Sequence, residues 1–256
     1  MMNAEKLNAA ELSWRIQCVD ETTSTSDLIR EAGMKGEPSG LVIFAESQTA
    51  GRGQRSNAWI TPSGKDLMFS VLLHPEQPMV QWPRLTTLAA LAMCKGIEDF
   101  LPLIPKIKWP NDIYLGPRKV CGLLAETYTA PDGAFLVLGI GMNVNTVQFP
   151  EDLSGVATSL LQELPATIRE VNRDLLAATL LRELSAALSL WDDDFHEAIA
   201  AVRKRSLLMG RGIRALVNGS EVHGRVLDLN HEGHLVIEQA DGSSLVLTSA
   251  AEVRVQ

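Results

Sequence analysis

The chain has 256 residues, of which 46% are hydrophobic and 21% are charged, a composition typical of a globular protein with one or two cores. Its net charge of -8 argues against a general electrostatic attraction to nucleic acid or to an anionic membrane. The first residues lack the basic-then-apolar pattern of a secretory signal, and no apolar run reaches membrane-spanning length. We therefore expect a soluble cytoplasmic protein that binds neither nucleic acid nor membrane.

The three cysteines argue against a disulfide framework. Cys18, Cys94 and Cys121 are odd in number and lie in apolar contexts, which is typical of reduced core thiols in a cytosolic protein. The histidines are scattered and share no metal-ligand spacing with the cysteines, so these residue types predict no metal centre.

The first part of the chain predicts a half-buried strand followed by a short helix. Residues 14–19 alternate between apolar and polar with the period of a strand. Ser24 followed by Asp27 resembles a capping box, which predicts a helix that stops at Gly33. Ser24 and the two residues after it could serve only as caps, or could present hydroxyls and helix N-terminal amides to a polar ligand.

A polar loop, Ser47–Trp59, joins two buried strands predicted at residues 41–45 and 67–73. We call it the Gly/Arg loop, because it contains two glycines and two arginines and almost nothing that could pack in a core. Exposed backbone N–H groups and guanidinium groups both recognise phosphate or carboxylate, so the loop favours an anionic ligand. A merely solvated connection is the alternative interpretation.

The middle of the chain predicts a helix and then a hairpin. Apolar residues recur at helical spacing over 82–100, and Pro110 interrupts the strand that follows. The turn signal after Leu115 predicts a hairpin. With a two-residue turn, Tyr114 pairs with Lys119 and Asp112 shares the face of Lys119. With a three-residue turn, Asp112 and Lys119 would lie on opposite faces of the hairpin.

The remaining elements predict the fold class. Two helical segments, residues 172–190 and 191–204, precede five short strands separated mostly by Asn-Gly, Glu-Gly and Asp-Gly turns. Those strands are predicted at residues 213–217, 221–228, 234–238, 244–247 and 252–255. Closely spaced strands with few helices between them indicate an α+β protein with a mixed or largely antiparallel sheet. We expect a catalytic domain at residues 1–206 and a small β-barrel at residues 207–256.

Four sequence elements together resemble the catalytic domain of biotin–protein ligases of the biotin–acetyl-CoA-carboxylase type. They are the Gly/Arg loop, the segment Lys108–Asp112, the pair Lys119 and Gly122, and the serine and threonine residues 24–26. Their order and spacing are specific, and the resemblance runs from about Val19 to the C terminus. No Walker A sequence occurs, and neither glycine-rich stretch fits a dinucleotide-binding fingerprint.

The resemblance implies an enzyme that joins biotin to ATP and then transfers the biotinyl group to a lysine of a biotin carboxyl carrier protein. It implies biotin and ATP as substrates and Mg²⁺ as the metal. The implied catalytic residues are Lys119, Arg52 and Arg55. The implied biotin-binding residues are Ser24, Thr25, Ser26, Gln48, Gly51, Arg52, Gly53, Gln54, Lys119 and Gly122. The implied ATP- or adenylate-binding residues are Arg55, Trp59, Asn111, Lys119 and Asn143, and the implied magnesium ligands are Asn111 and Asp112.

Three positions depart from the commonest family pattern. Gln54 stands where an arginine is frequent, Ser56 replaces a glycine, and Ser26 replaces an asparagine. Gln54 carries no charge, so its contribution to retaining the adenylate is open, and Arg55 could compensate for it.

Three other functions remain open at this stage. Lipoate or octanoyl ligases and transferases share the catalytic architecture, and an inactive module could bind a carrier domain without using ATP. Some family members are also biotin-responsive DNA-binding repressors. Only about eighteen residues precede the catalytic region here, so we expect the minimal type without a DNA-binding domain. The family contains monomers and homodimers, and the sequence favours neither.

Overall fold

A seven-stranded mixed sheet forms the centre of the fold. The computed structural model describes residues 2–8, 12–54, 58–60, 62–192, 194–217, 219–250 and 252–256. The strands are β1 (Arg15–Thr22), β2 (Leu41–Gln48), β3 (Leu67–Leu73), β4 (Lys106–Lys108), β5 (Asp112–Leu115), β6 (Arg118–Ala130) and β7 (Gly133–Met142). Their order is β1-β2-β3-β7-β6-β5-β4, with β1 and β2 parallel and every other neighbouring pair antiparallel.

Both faces of this sheet are covered by helices. The helices are α1 (Ala4–Asn8), α2 (Thr25–Met34), α3 (Arg84–Phe100), α4 (Arg173–Leu188) and α5 (Phe195–Arg205), with short 3₁₀ helices at Met79–Gln81 and Leu161–Glu163. Strand β2 shows why the strands predicted at residues 41–45 and 67–73 do not alternate between apolar and polar residues. Leu41 and Ile43 pack with Ile29 of α2, whereas Val42 and Phe44 belong to the larger cluster under α3 and α4. Successive side chains point to opposite faces, so a strand buried on both faces is apolar throughout.

The last fifty residues form a second, five-stranded antiparallel sheet. It contains β8 (Gly212–Val217), β9 (Ser220–Leu229), β10 (Leu235–Glu238), β11 (Ser244–Leu247) and β12 (Glu252–Val255), in the order β11-β10-β9-β8-β12. The α+β class and all five predicted strands are confirmed. Within the described residues, β11 and β12 are the two edges of the sheet and do not pair, so the predicted barrel is not closed.

The two sheets are joined by polar contacts and a shared apolar cluster. The indole nitrogen of Trp109 donates to the carbonyl of Gly233 at 3.0 Å, and Arg84 pairs with Glu232 at 2.9 Å. Residues of the second sheet belong to the same hydrophobic cluster as α3 and α4. These contacts hold the segment Lys108–Asp112 against the turn between β9 and β10. The proposed domain boundary, residue 206/207, lies between α5 and β8 and stays a prediction.

The helix predictions hold in type and shift at their ends. The helix predicted at 82–100 begins at Arg84, and the segment predicted at 191–204 becomes helical only from Phe195. Ser24 is the N-cap of α2, as predicted, and its side chain accepts from the backbone N–H of Ser26. The predicted capping box is wrong, because the carboxylate of Asp27 is taken by Arg52 instead.

Two further features concern the cysteines and the helices. All three cysteines are free thiols, and burial raises the pKa of Cys18 to about 11. No helix among the described residues is both long and apolar enough to cross a membrane.

The contact between α3 and α4 depends on a glycine, which yields a stability test. A Cβ added at Gly96 would lie 2.7 Å from Leu180 Cδ2 and 3.2 Å from Leu180 Cα. The Gly96→Ala substitution should therefore lower the free energy of unfolding by about 1–3 kcal/mol through overpacking, despite the better helix propensity of alanine. Urea denaturation measures this change. Asp99→Ala, at an exposed position of the same helix, is the control and should not destabilise; equal stability of Gly96→Ala and wild type would contradict the packing argument.

Candidate functional site

A cavity of about 290 Å³ lies between the start of α2, the Gly/Arg loop, strands β3, β6 and β7, and the C-terminal sheet. It gathers most of the residues predicted from the sequence. Those that line it are Ser24, Thr25, Ser26, Gln48, Arg52, Gly53, Gln54, Trp59, Asn111, Asp112, Lys119 and Gly122. Gly51 and Asn143 are not among the lining residues, and Arg55 and Ser56 lie outside the described residues. The structure therefore brings together predicted residues that are spread from Ser24 to Gly122 along the chain.

One end of the cavity is a cluster of buried hydroxyl groups and one amide. The backbone N–H of Thr25 donates to Gln48 Oε1 at 2.7 Å, and the Thr25 hydroxyl lies 2.7 Å from that of Ser70. The Ser26 hydroxyl also contacts Ser70, at 3.0 Å. All three hydroxyl residues are at most 5% exposed. Ser24 thus caps α2, and residues 24–26 also line the cavity. The capping interpretation is confirmed, and the contact of these residues with a ligand stays a prediction.

Ser70 is a cavity residue that sequence reasoning missed. It is fully buried in β3, and the signal was a single hydroxyl within the otherwise apolar run Leu67–Leu73. Its neighbour across the sheet is Gly139 of β7. A Cβ at Gly139 would lie 2.9 Å from the Ser26 hydroxyl, so only glycine allows α2 to approach the sheet this closely.

The two ends of the Gly/Arg loop are held together by the backbone. Trp59 N–H donates to the carbonyl of Gly51 at 2.9 Å, and Arg52 forms an isolated antiparallel bridge with Ala58. We call residues 51–53 together with 58–59 the neck of the loop. A Cβ on Gly51 would collide with the carbonyl oxygen of Trp59, so Gly51 is needed by the neck itself.

The indole of Trp59 lies against two further glycines. A Cβ on Gly141 would be 2.6 Å from its ring nitrogen, and a Cβ on Gly122 would be 3.2 Å from its ring carbon Cζ3. The same position on Gly122 would lie 3.0 Å from Lys119 Nζ. Gly122 therefore leaves room for the side chains of Lys119 and Trp59. Its contact with a ligand stays a prediction.

The hairpin of β5 and β6 brings a cation and an anion into the cavity. The two-residue turn and the pairing of Tyr114 with Lys119 are confirmed. A β-bulge then shifts the register, so that Asp112 lies opposite Gly122. Lys119 Nζ is 2.6 Å from Asp112 Oδ1, which confirms that the two side chains share a face. Lys119 Nζ is also 5.6 Å from the centre of the Trp59 ring.

Lys108 is a second cavity cation, to which the sequence analysis assigned no role. Its ammonium donates to the Tyr114 hydroxyl at 3.4 Å, and burial lowers its pKa. The nearby carboxylate of Asp112 opposes this shift. Lys108 lines the cavity, so in its charged form it is a candidate for contacting an anionic ligand.

Asn111 and Asn143 have structural partners. The Asn111 side chain donates to the carbonyl of Leu123 at 2.5 Å, which fixes the start of β5 on β6. The Asn143 side chain donates to the carbonyl of Thr158 at 3.0 Å, and its own N–H donates to Val120. Asn143 therefore holds the segment around Thr158 beside β6, and its assignment to ATP stays a prediction.

Arg52 is held by two carboxylates. Its Nη1 is 2.5 Å from Asp27 Oδ1, and its Nη2 is 3.1 Å from Glu126 Oε2. Burial alone would lower the pKa of Arg52, but the hydrogen bonds and charges of these carboxylates raise it above its ordinary value. The guanidinium is thus permanently charged and already paired.

Comparisons with known proteins identify the family. The model of the biotin/lipoate A/B protein ligase family matches residues 17–143. The biotin–[acetyl-CoA-carboxylase] ligase of Mycobacterium tuberculosis is 33% identical over 97% of this chain and 92% of its own length. The bifunctional ligase/repressor BirA of Bacillus subtilis is 30% identical over 91% of this chain and 72% of its own.

A solved structure agrees with these relatives. The biotin protein ligase from Aquifex aeolicus, in complex with biotin and ATP, superposes with a TM-score of 0.82 at 25% identity. The match covers 94% of this chain and 99% of that one. The chain therefore belongs to the biotin/lipoate A/B protein ligase family and, within it, to the biotin protein ligases, which are enzymes. The family predicted from the four sequence elements is confirmed.

The close contact of Trp59 with Gly141 can be tested without any ligand. A methyl group at Gly141 cannot coexist with the indole in its present position, so Gly141→Ala should move the ring into solvent. Acrylamide quenching of tryptophan fluorescence should therefore increase. The same substitution in a Trp59→Phe background should leave quenching unchanged. Gly212→Ala, where an added Cβ meets nothing closer than 3.6 Å, is the control; unchanged quenching in Gly141→Ala would contradict this contact.

Proposed function

We propose that this chain activates biotin with ATP, forming biotinyl-adenylate and pyrophosphate, and then transfers the biotinyl group to a lysine of a biotin carboxyl carrier protein. One observation carries the assignment of roles within the site. The cavity has neutral hydrogen-bonding groups at one end and the Lys119–Asp112 pair at the other. A substrate with a neutral polar ring and a distant carboxylate needs both ends.

The hydroxyl end is suited to the ureido ring of biotin. Ser24, Thr25 and Gln48 offer donors and acceptors whose positions are fixed by hydrogen bonds within the protein. The indole of Trp59 and the glycine surfaces of Gly122 and Gly141 supply the apolar walls. A few well-placed polar groups in an otherwise apolar cavity are the usual means of binding a rigid neutral ligand.

The cationic end is suited to the first chemical step. A carboxylate oxygen of biotin attacks the α-phosphorus of ATP, a new P–O bond forms, and the bond to the leaving pyrophosphate breaks. Both reactants are anionic, so positive charge must lie where they meet. Lys119 would contact the carboxylate and the α-phosphate, and Lys108 would add a second positive charge at the same end of the cavity.

The second step transfers the biotinyl group. The neutral ε-amine of the acceptor lysine attacks the acyl carbon, AMP leaves with the electron pair of the broken C–O bond, and the surplus proton on nitrogen is released to solvent. Lys119 would stabilise the departing phosphate as it did in the first step. Arg55 would assist at the adenylate; it lies outside the described residues, so its role rests on the motif alone.

The residues present fit a magnesium ion that is bound together with nucleotide. No group of three His, Cys, Asp or Glu residues that could hold a metal occurs among the described residues. Mg²⁺ is commonly held by one or two carboxylates, with phosphate oxygens and water completing its shell. The Asp112 carboxylate and the Asn111 amide would supply the protein ligands, and the ion would offset phosphate charge when bound.

The competing assignments have less support. The relatives that match this chain over most of its length are biotin ligases, which disfavours lipoate or octanoate as the substrate. We place the reaction in the cytoplasm, with the carrier domain as the protein partner. Either a monomer or a homodimer could perform it.

Intact mass spectrometry tests the proposal directly. The protein is mixed with biotin, MgATP and a purified biotin carboxyl carrier domain, and we expect a mass increase of one biotinyl group on the carrier. Lys119→Ala should abolish this increase, because the charge at the α-phosphate is lost. Lys106→Ala is the control: this lysine lies on β4, donates to the carbonyl of Lys204, and does not line the cavity. No mass increase with wild type, or an equal one with lipoate, would contradict the proposal.

The role of Lys108 predicts a pH dependence. Its pKa is lowered, so its charge is lost at a lower pH than for an ordinary lysine. The kcat/KM for ATP should therefore fall as the pH rises through this lowered pKa. Lys108→Arg keeps its charge and should move the fall to higher pH. Lys106→Arg should keep the wild-type profile. Superimposable profiles for wild type and Lys108→Arg would show that Lys108 does not supply the charge.

A further inference from the structure

Both terminal nitrogens of Arg52 already form an ion pair with a carboxylate of the protein. Nη1 is paired with Asp27 and Nη2 with Glu126. Arg30 also approaches Asp27 Oδ1, at 3.4 Å, so the four charges of this cluster balance. The remaining nitrogen, Nε, is buried and has no partner among the described residues. The positive charge of the guanidinium is therefore balanced within the protein, although each terminal nitrogen keeps a second N–H group.

The partners of Arg52 belong to the walls of the cavity. Asp27 lies in the first turn of α2, the helix that presents Thr25 and Ser26 to the cavity. Glu126 lies on β6, the strand that carries Lys119 and Gly122. The Arg52 side chain therefore connects the Gly/Arg loop to the element at the hydroxyl end and to the element at the cationic end.

The backbone of Arg52 sits at the position that this anchoring would control. It pairs with Ala58, and the adjacent residue on each side takes part in the site: Gly51 accepts from Trp59 N–H, and Gly53 lines the cavity. Fixing the Arg52 side chain thus fixes the neck of the loop, and with it the backbone that carries the Trp59 ring.

We propose that Arg52, clamped by Asp27 and Glu126, is a positioning residue that holds the neck of the Gly/Arg loop over bound biotin, and that it does not neutralise substrate charge. This inference rests on the proposed function and reassigns one residue within it. It replaces the expectation that Arg52 is catalytic, and it leaves Lys119 and Lys108 as the described cations that act on the phosphate. Asp27 and Glu126 become necessary for retaining the ligand although neither touches it.

Removing the two carboxylate charges separates the alternatives, because the two roles predict opposite results. If Arg52 served the anion directly, Asp27→Asn with Glu126→Gln would release the guanidinium for the substrate, and the KM values would stay the same or fall. If Arg52 positions the neck, the same double variant loosens it, and affinity for biotin is lost although the positive charge is still present.

The experiment compares Asp27→Asn/Glu126→Gln, Arg52→Gln and the triple variant with wild type. We expect the double variant and Arg52→Gln each to raise the KM for biotin and the dissociation rate of biotinyl-adenylate by about tenfold, with kcat for pyrophosphate release changed by less than about threefold. The triple variant should be no worse than Arg52→Gln, because all the substitutions remove one interaction. Arg52→Lys should restore part of the affinity. Glu31→Gln, an exposed carboxylate one turn further along α2, is the matched control and should match wild type.

Hydrogen exchange gives a readout that needs no activity. The Trp59 amide, which donates to Gly51, should lose protection in the double variant and in Arg52→Gln, but not in Glu31→Gln. If the protein fails to biotinylate a carrier while the Trp59 amide loses protection as expected, the proposed function is wrong, but the positioning role of Arg52 at the neck is supported. Unchanged protection and unchanged KM for biotin in the double variant would overturn the clamp. A lower KM for ATP in the double variant, or a loss confined to kcat in Arg52→Gln, would show that Arg52 acts directly on the substrate anion and would overturn the proposal.

Discussion

The β-bulge in the hairpin of β5 and β6 is the constraint on which the reactive end of the site depends. Lys119 and Gly122 are three residues apart, and in a regular strand an odd spacing places side chains on opposite faces. The bulge opposite the step from Ile113 to Tyr114 adds one residue to β6, so both positions face the cavity with Asp112 opposite Gly122. Lys119 can then pair with Asp112, and the missing side chain at Gly122 leaves the space that the lysine and the Trp59 indole occupy. Without the extra residue, Lys119 and Gly122 would face opposite sides of the sheet.

Glycines of β7 shape the hydroxyl end of the cavity, because they let side chains from other segments lie directly against the sheet. Gly139 allows the Ser26 hydroxyl to reach β7, and Gly141 receives the Trp59 ring. Buried hydroxyl groups without a partner would destabilise the fold. The hydroxyls of Thr25 and Ser26 both contact the Ser70 hydroxyl, so these groups have partners inside the core. The result is a polar surface embedded in an apolar sheet. Such a surface can recognise a neutral ligand without offering it charge.

The C-terminal sheet completes the cavity. Ala250, Glu252 and Val253 line it, although the sheet is connected to the catalytic region only after α5. Its placement relies on the Trp109–Gly233 hydrogen bond and on a hydrophobic cluster common to both sheets. The motif segment Lys108–Asp112 is therefore held from both sides, by β6 through Asn111 and by the second sheet through Trp109. Loss of the C-terminal sheet would remove one wall of the cavity and one support of its motif.

The sequence by itself determined the main strands and helices, the family and most of the residues around the cavity. Periodicity located the strands and helices, Ser24 marked the start of α2, and the two-residue turn placed Lys119 opposite Tyr114, because these features depend on neighbours close in the chain. Only the tertiary structure decided which residues distant in the chain pair with each other. Asp27 was expected to cap its own helix and instead pairs with Arg52, 25 residues away, while Glu126 reaches the same arginine across 74 residues. The contacts of Ser70 with Thr25 and Ser26, and of Asn143 with Thr158, were not predicted for the same reason. Hydropathy patterns encode which face of an element is buried, but not which distant group it meets there.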